Sequence, residues 1–210
     1  MLLLSDPEVA AVPVRECGEP LLDLREHSDL RMDTRKQDTP GAWAHLRSGV
    51  LHRLLAAQAL LPAGVSFLVI EGHRPAALQQ HYFDSYRSDL QQIQPDWSQS
   101  RLEGEASKHV SPPKVAPHPC GAAVDLTLWA DHAEVDLGTA VNATPAASDG
   151  ACFTAAGGIT DSAREWRRIL GKALGGAGLV NYPPEWWHWS YGDRYWAAVT
   201  GAPAALYTPR

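Results

Sequence analysis

Apolar positions recur along this chain with two different periods. Between Pro40 and Leu61 they fall at Trp43, Leu46, Val50, Leu54, Ala57 and Leu61, which predicts one face of a helix ended by Pro62, Ala63 and Gly64. Val65 to Ile70 (VSFLVI) is a short β-rich run after a turn; it predicts a buried strand that delivers Glu71, Gly72, His73, Arg74 and Pro75 at its end. Pro75 suits the first turn of a second helix reaching about Leu90, where its missing N–H would have no partner anyway. Gln94 to Pro119 carries Pro95, Pro112, Pro113, Pro117 and Pro119 and neither period, so it predicts a long functional loop, a flap or wall leading into His118. Ala122 to Leu128 alternates Ala123, Asp125 and Thr127 against Val124, Leu126 and Leu128, a strand with Asp125 on its less apolar face. A partner strand is expected from Glu134 to Leu137, then a Gly/Ala/Ser/Asn-rich loop to Gly158. Thr160 or Asp161 can cap a helix containing Ala163, Trp166, Ile169, Leu170 and Leu174, which Gly175 and Gly176 terminate. Trp186 to Tyr191 is aromatic enough to be a last strand. The pattern is α+β, with no internal repeat and no linker.

At 210 residues the chain can bury a sizeable core without disulfides and is expected to form one domain over 1–210. A net charge of -6, with no run of Lys or Arg, argues against a nucleic-acid or anionic-membrane surface and leaves small or peptide-like substrates open. Cys17, Cys120 and Cys152 are odd in number and widely spaced, which suits a reducing compartment rather than a disulfide framework. The opening MLLLSDPEVA has three leucines before an acidic residue and no basic region, too short for a signal peptide or membrane span, so the cytoplasm is the expected location.

Candidate chemistry lies in two places, His118 and Asp125 in APHPCGAAVDLTL, then Glu185 and His188 in PPEWWHW. Two imidazoles and a carboxylate can hold a divalent zinc with one position left for water, and a nearby Glu can take that water's proton. Each residue alone has a plainer reading. His118 between prolines could be a loop histidine, Asp125 a satisfied polar residue on an edge strand, Arg74 a surface ion-pairing residue, and Cys120 a small buried hydrophobe. The tryptophans read as core and pocket wall. Glu185 and His188 are three apart, which shares a face on a helix but not on a strand; Pro183 and Pro184 disfavour a helix there. Glu185 is therefore expected on the turn entering the strand, with a bend bringing it to the site.

EGHRP, HPCGAAVDLTL and EWWH, in that order, resemble the VanX-type D-alanyl-D-alanine dipeptidases of zinc peptidase family M15, relatives of the D-Ala-D-Ala carboxypeptidases and the hedgehog signalling domain. The resemblance covers about residues 20–200. It implies a central, mostly antiparallel sheet flanked by helices, and one zinc per chain held by His118, Asp125 and His188. Glu185 would be the catalytic acid/base, Arg74 would stabilise the transition state, and a small dipeptide would be the substrate. Three positions depart from the family pattern: Ala116 stands where the family has Ser, His73 where it has Tyr, and Asn142 where it has Asp. Specificity for D-Ala-D-Ala is thereby open. Trimming of peptidoglycan peptides as a carboxypeptidase or endopeptidase, or a zinc domain without turnover, stand as alternatives.

Overall fold

The computed structural model describes residues 1–108 and 110–210. In chain order the elements are α1 (Pro7–Ala10), β1 (Leu21–Asp23), β2 (Arg31–Met32), β3 (His45–Arg47), α2 (Ser48–Gln58), β4 (Ser66–Glu71), α3 (Ala76–Ile93), α4 (Gln99–Ser107), β5 (Ala123–Ala130), β6 (Ala133–Glu134), α5 (Asp161–Gly176), β7 (Val180–Tyr182), β8 (Glu185–Ser190) and α6 (Arg194–Thr200). The main sheet runs β2-β4-β5-β8-β7, with β6 folding back on β5. Among the described strands of this sheet, β2 and β4 pair in parallel and the other pairs are antiparallel. The expected α+β architecture is therefore present. Among the described residues, no helix is long and apolar enough to cross a membrane.

The core lies between the sheet and the helices, where Leu51 and Leu54 of α2 and Leu170 and Leu174 of α5 join Phe67, Val69, Val124 and Leu126 of the strands. Burial of such side chains stabilises by roughly 1.5–3 kcal/mol each. Thr160 caps α5 by accepting from the Ala163 N–H, as its sequence predicts.

Three local expectations fail. The helix predicted from Pro40 begins only at Ser48; residues 42–44 form a 3-10 turn and His45–Arg47 a strand paired with β1. Tertiary hydrogen bonds override the helical period there, because the carbonyls of Trp43 and His45 accept from the N–H groups of Gly72 and His73, each at 2.7 Å. This contact needs a glycine: a Cβ on Gly72 would lie 2.5 Å from the His45 carbonyl oxygen. The predicted loop from Gln94 to Pro119 contains α4. Ser98 caps it, and Leu102 and Ala106 are its buried face, spaced four apart as a helix requires. The partner strand expected at Glu134–Leu137 is the two-residue β6, one position earlier, in a tight hairpin whose turn residues Asp131 and His132 have positive φ.

Candidate active site

His118, Asp125 and His188 arrive from three segments. His118 opens a 3-10 turn that Gly121 ends at φ 65°, and a Cβ on Gly121 would lie 2.3 Å from Leu21 Cδ2. Its Nδ1–H donates to the Gly72 carbonyl at 2.7 Å, which leaves Nε2 buried, facing Asp125, and without a hydrogen bond among the described residues. Asp125 sits within β5, opposite Glu71 on β4 and His188 on β8. Asp125 Oδ1 is 3.3 Å from His118 Nε2 and 2.9 Å from His188 Nδ1. The imidazole rings meet edge to face with centroids 4.9 Å apart. One ligand atom from each of the three residues lies within 4.8 Å of the others.

Those observations fit a metal. A buried, unpartnered imidazole nitrogen costs free energy unless something binds it, and two nitrogens with one carboxylate oxygen are a donor set suited to catalytic zinc. Burial opposes ionisation of Asp125, yet the two neighbouring imidazoles hold its carboxyl well below the usual carboxylate range. It is ready to bind a cation as the anion.

Glu185 is the first residue of β8 rather than part of the preceding turn. The bend the sequence requires is a register irregularity: Val180 pairs with Ser190 and Asn181 with Trp189, but Tyr182 pairs with Glu185. Asn181 holds this bulge open by donating from Nδ2 to the carbonyls of both Glu185 and His188, at 3.1 Å each. Thr154 in turn donates to Asn181 Oδ1 at 2.6 Å. The result places Glu185 Oε2 3.9 Å from His188 Nδ1, on one side of a strand that in regular form would separate them. Its side chain is 32% exposed and reaches the cavity. Crowding by protein, helped by the charge of Asp125 and opposed by His188 and Arg74, pushes its carboxyl up to about 7.

Arg74 follows β4 and leads into α3. Its guanidinium grips Glu71 through Nε at 2.7 Å and a terminal nitrogen at 2.5 Å, and donates to Gln79 Oε1 at 2.8 Å. Burial works against both charges, but each holds the other ionised, Glu71 lowered and Arg74 raised. Neither Glu71 nor Gln79 was singled out from sequence. Their signal was spacing: Glu71 is three residues before Arg74 at a strand end, and Gln79 one turn into the helix after it.

A cavity of about 490 Å³ joins these groups, with Arg74, His118, Asp125, Glu185 and His188 all on its wall. Ala116 and Asn142 line it too, so two of the three departures from the family pattern face the substrate space. His73 is turned elsewhere: it is buried and hydrogen-bonded to the backbone of Arg210. Cys120 stays a thiol, its burial pushing it up to about 12.

Known proteins resemble this chain in sequence and in fold. The chain is 29% identical over 218 residues to a D-alanyl-D-alanine dipeptidase of Synechocystis sp. (strain ATCC 27184 / PCC 6803 / Kazusa), covering 89% of this chain and 87% of that one. In fold it resembles the LdcB LD-carboxypeptidase at a TM-score of 0.50 and 17% identity, covering 91% of this chain and 76% of that chain. A VanYB structure in complex with D-alanine-D-alanine overlaps at a TM-score of 0.44 and 20% identity, covering 85% and 88%. The Peptidase_M15 family model, described as D-ala-D-ala dipeptidase, matches residues 34–201, and this chain accordingly belongs to that family of zinc metallopeptidases.

Proposed function

We propose that this chain hydrolyses the D-Ala-D-Ala dipeptide to two D-alanines, with one zinc held by His118, Asp125 and His188, Glu185 as general acid/base and Arg74 as the cation that stabilises the transition state. The observation that carries the reading is a carboxyl pushed up to about 7, placed 3.9 Å from one imidazole of a buried three-ligand set. When bound, zinc supplies Lewis acidity, lowering the pKa of a water to about 7 and polarising a carbonyl.

Glu185 is suited to the proton traffic. Burial raises its carboxyl above the ordinary carboxylate value, which favours its taking a proton from the attacking water and returning it to the departing amine. Arg74 is suited to charge. Its fork is fixed by Glu71 and Gln79 before substrate arrives, so no reorganisation is needed when negative charge grows on the former carbonyl oxygen. Gly72 completes the arrangement: its carbonyl orients His118, and its close approach to His45 anchors the segment that carries Arg74.

The test is release of free D-alanine from D-Ala-D-Ala by the zinc-loaded protein, beside L-Ala-L-Ala, a pentapeptide ending in D-Ala-D-Ala, and a Glu185→Ala control. Turnover of D-Ala-D-Ala that the control abolishes supports the reading. Preference for the pentapeptide would instead assign peptidoglycan-peptide trimming, with Ala116 and Asn142 on the cavity wall as the positions where specificity has moved. No hydrolysis of any peptide would overturn the enzymatic assignment.

A further inference from the structure

The cavity is not the same at its two ends, and the sheet order says which end is which. Adjacent strands lie about 4.8 Å apart, so Arg74 after β4, Asp125 on β5, His188 on β8 and Tyr182 on β7 mark successive steps across the sheet. Toward the β2–β4 side the wall is cationic. Lys36 lies there half-buried, its ammonium 5.5 Å from the centre of the Tyr82 ring, with no ion pair among the described residues. Arg74 stands over the same ring at 5.2 Å. At the β7 side the wall is apolar and is built from the start of the chain: Met1, Leu3 and Leu4 line the cavity beside Tyr182.

That starting segment is strapped down. Leu4 is buried with Val9, Tyr182 and Tyr195. The Tyr182 phenol is hydrogen-bonded to the backbone of Leu4, and its ring meets His188 edge to face at 5.9 Å. The Leu3 N–H donates to Asp6 Oδ2 at 2.8 Å, and Arg194 of α6 donates to the carbonyls of Ala10 and Val12.

We infer that Leu3 and Leu4, with Met1 beside them, are the wall that limits substrate length on the amino-terminal side of the scissile bond. The inference rests on the hydrolysis reading above and deepens it. The unpaired cation at the Lys36 end attracts the peptide's carboxylate, so the amino end of the substrate points toward Leu3 and Leu4. A residue added at that end meets a packed apolar wall with no partner for its peptide group, while a dipeptide ends before it.

The test compares kcat/KM for D-Ala-D-Ala, Gly-D-Ala-D-Ala and D-Ala-D-Ala-Gly in the zinc-loaded full chain and in Leu3→Ala and Leu3→Ala/Leu4→Ala variants, each checked by thermal melting. Trimming the wall is expected to raise the ratio of Gly-D-Ala-D-Ala to D-Ala-D-Ala by about tenfold, the scale of a few methylenes in a specificity pocket, with no gain for D-Ala-D-Ala-Gly. If Leu4→Ala prevents folding, the half-buried Leu3 carries the test alone. An unchanged ratio in a folded variant, equal cleavage of dipeptide and Gly-D-Ala-D-Ala by the unaltered chain, or a gain confined to D-Ala-D-Ala-Gly would overturn the inference while leaving hydrolysis intact. No cleavage of any of the three by the unaltered chain would overturn the hydrolysis reading and this inference with it.

Discussion

Two arginines of this chain, Arg47 buried and Arg74 half-buried, make opposite use of the same side chain. Arg47 is fully buried and makes five hydrogen bonds: Nε to the Cys120 carbonyl, one terminal nitrogen to Glu16 and the Glu19 carbonyl, the other to Glu16 and the Thr208 carbonyl. A guanidinium has five N–H donors, so none is left over. Arg74 makes three such bonds, to Glu71 and Gln79, and lies on the cavity wall. Among the described residues its other two donors have no partner, which leaves them for a ligand. A saturated arginine ties together segments distant in sequence; one anchored by three bonds is rigid enough to be aimed and still has donors to offer a reaction.

Substitutions test that contrast, beginning with the largest effect. His118→Ala removes a ligand from the three-residue set and is expected to lose both bound zinc, read by metal analysis, and D-Ala-D-Ala turnover. Glu185→Gln keeps the shape but not the proton acceptor; turnover should fall by roughly 10²–10⁴-fold with zinc content unchanged. Arg74→Lys keeps the charge but loses the fork and the spare donors, so kcat should fall by about 10²–10³-fold while the melting temperature moves little by comparison. A near-normal kcat in that variant would erase the distinction between the two arginines. Arg47→Met should do the reverse: leaving Glu16 and three carbonyls without their donor is expected to cost about 3–5 kcal/mol in unfolding measurements, with zinc-dependent turnover of the folded protein retained.

The smallest expected effect is a pH dependence on the Arg47 side. Burial opposes ionisation of Glu16, but hydrogen bonds from Thr208 and Gly18 and the charge of Arg47 lower its carboxyl from 4.5 to about 2. Because the folded value is the lower one, its contribution is fully present above pH 4.5 and is lost as pH falls through 2. Glu16→Gln should therefore flatten the decline in melting temperature between those limits; an unchanged slope would show that Glu16 is not held by this cluster.

What was readable from the chain follows a physical divide. β4, α3, β5 and α5 were legible because their signals are local: a β-branched run, a proline at a first turn, strict alternation, and a threonine cap with apolar residues every three to four positions. The five candidate site residues were legible as residue types in three short motifs, and all five line one cavity. The region from Pro40 to Arg47 was misread because its apolar spacing suits a helix while its hydrogen bonds go to β1 and to Gly72 and His73. α4 was missed because prolines on both sides hid a nine-residue amphipathic stretch.

The sequence by itself determined the alphabet of the site: which side chains can bind a cation, carry a proton or meet a developing charge, and the order in which strands and helices bring them along the chain. Tertiary structure alone decided their geometry. The β7–β8 bulge sets Glu185 beside His188, the Glu71 clamp aims Arg74, and Leu3 and Leu4 reach a cavity whose other walls come from segments spread between Lys36 and His188. Local periods report neighbours a few residues apart, whereas His188 and Asp125 are 63 positions apart and Arg47 and Thr208 are 161 apart. Such contacts form only where the packed sheet removes the alternatives of water and disorder, and no short window of sequence holds both partners.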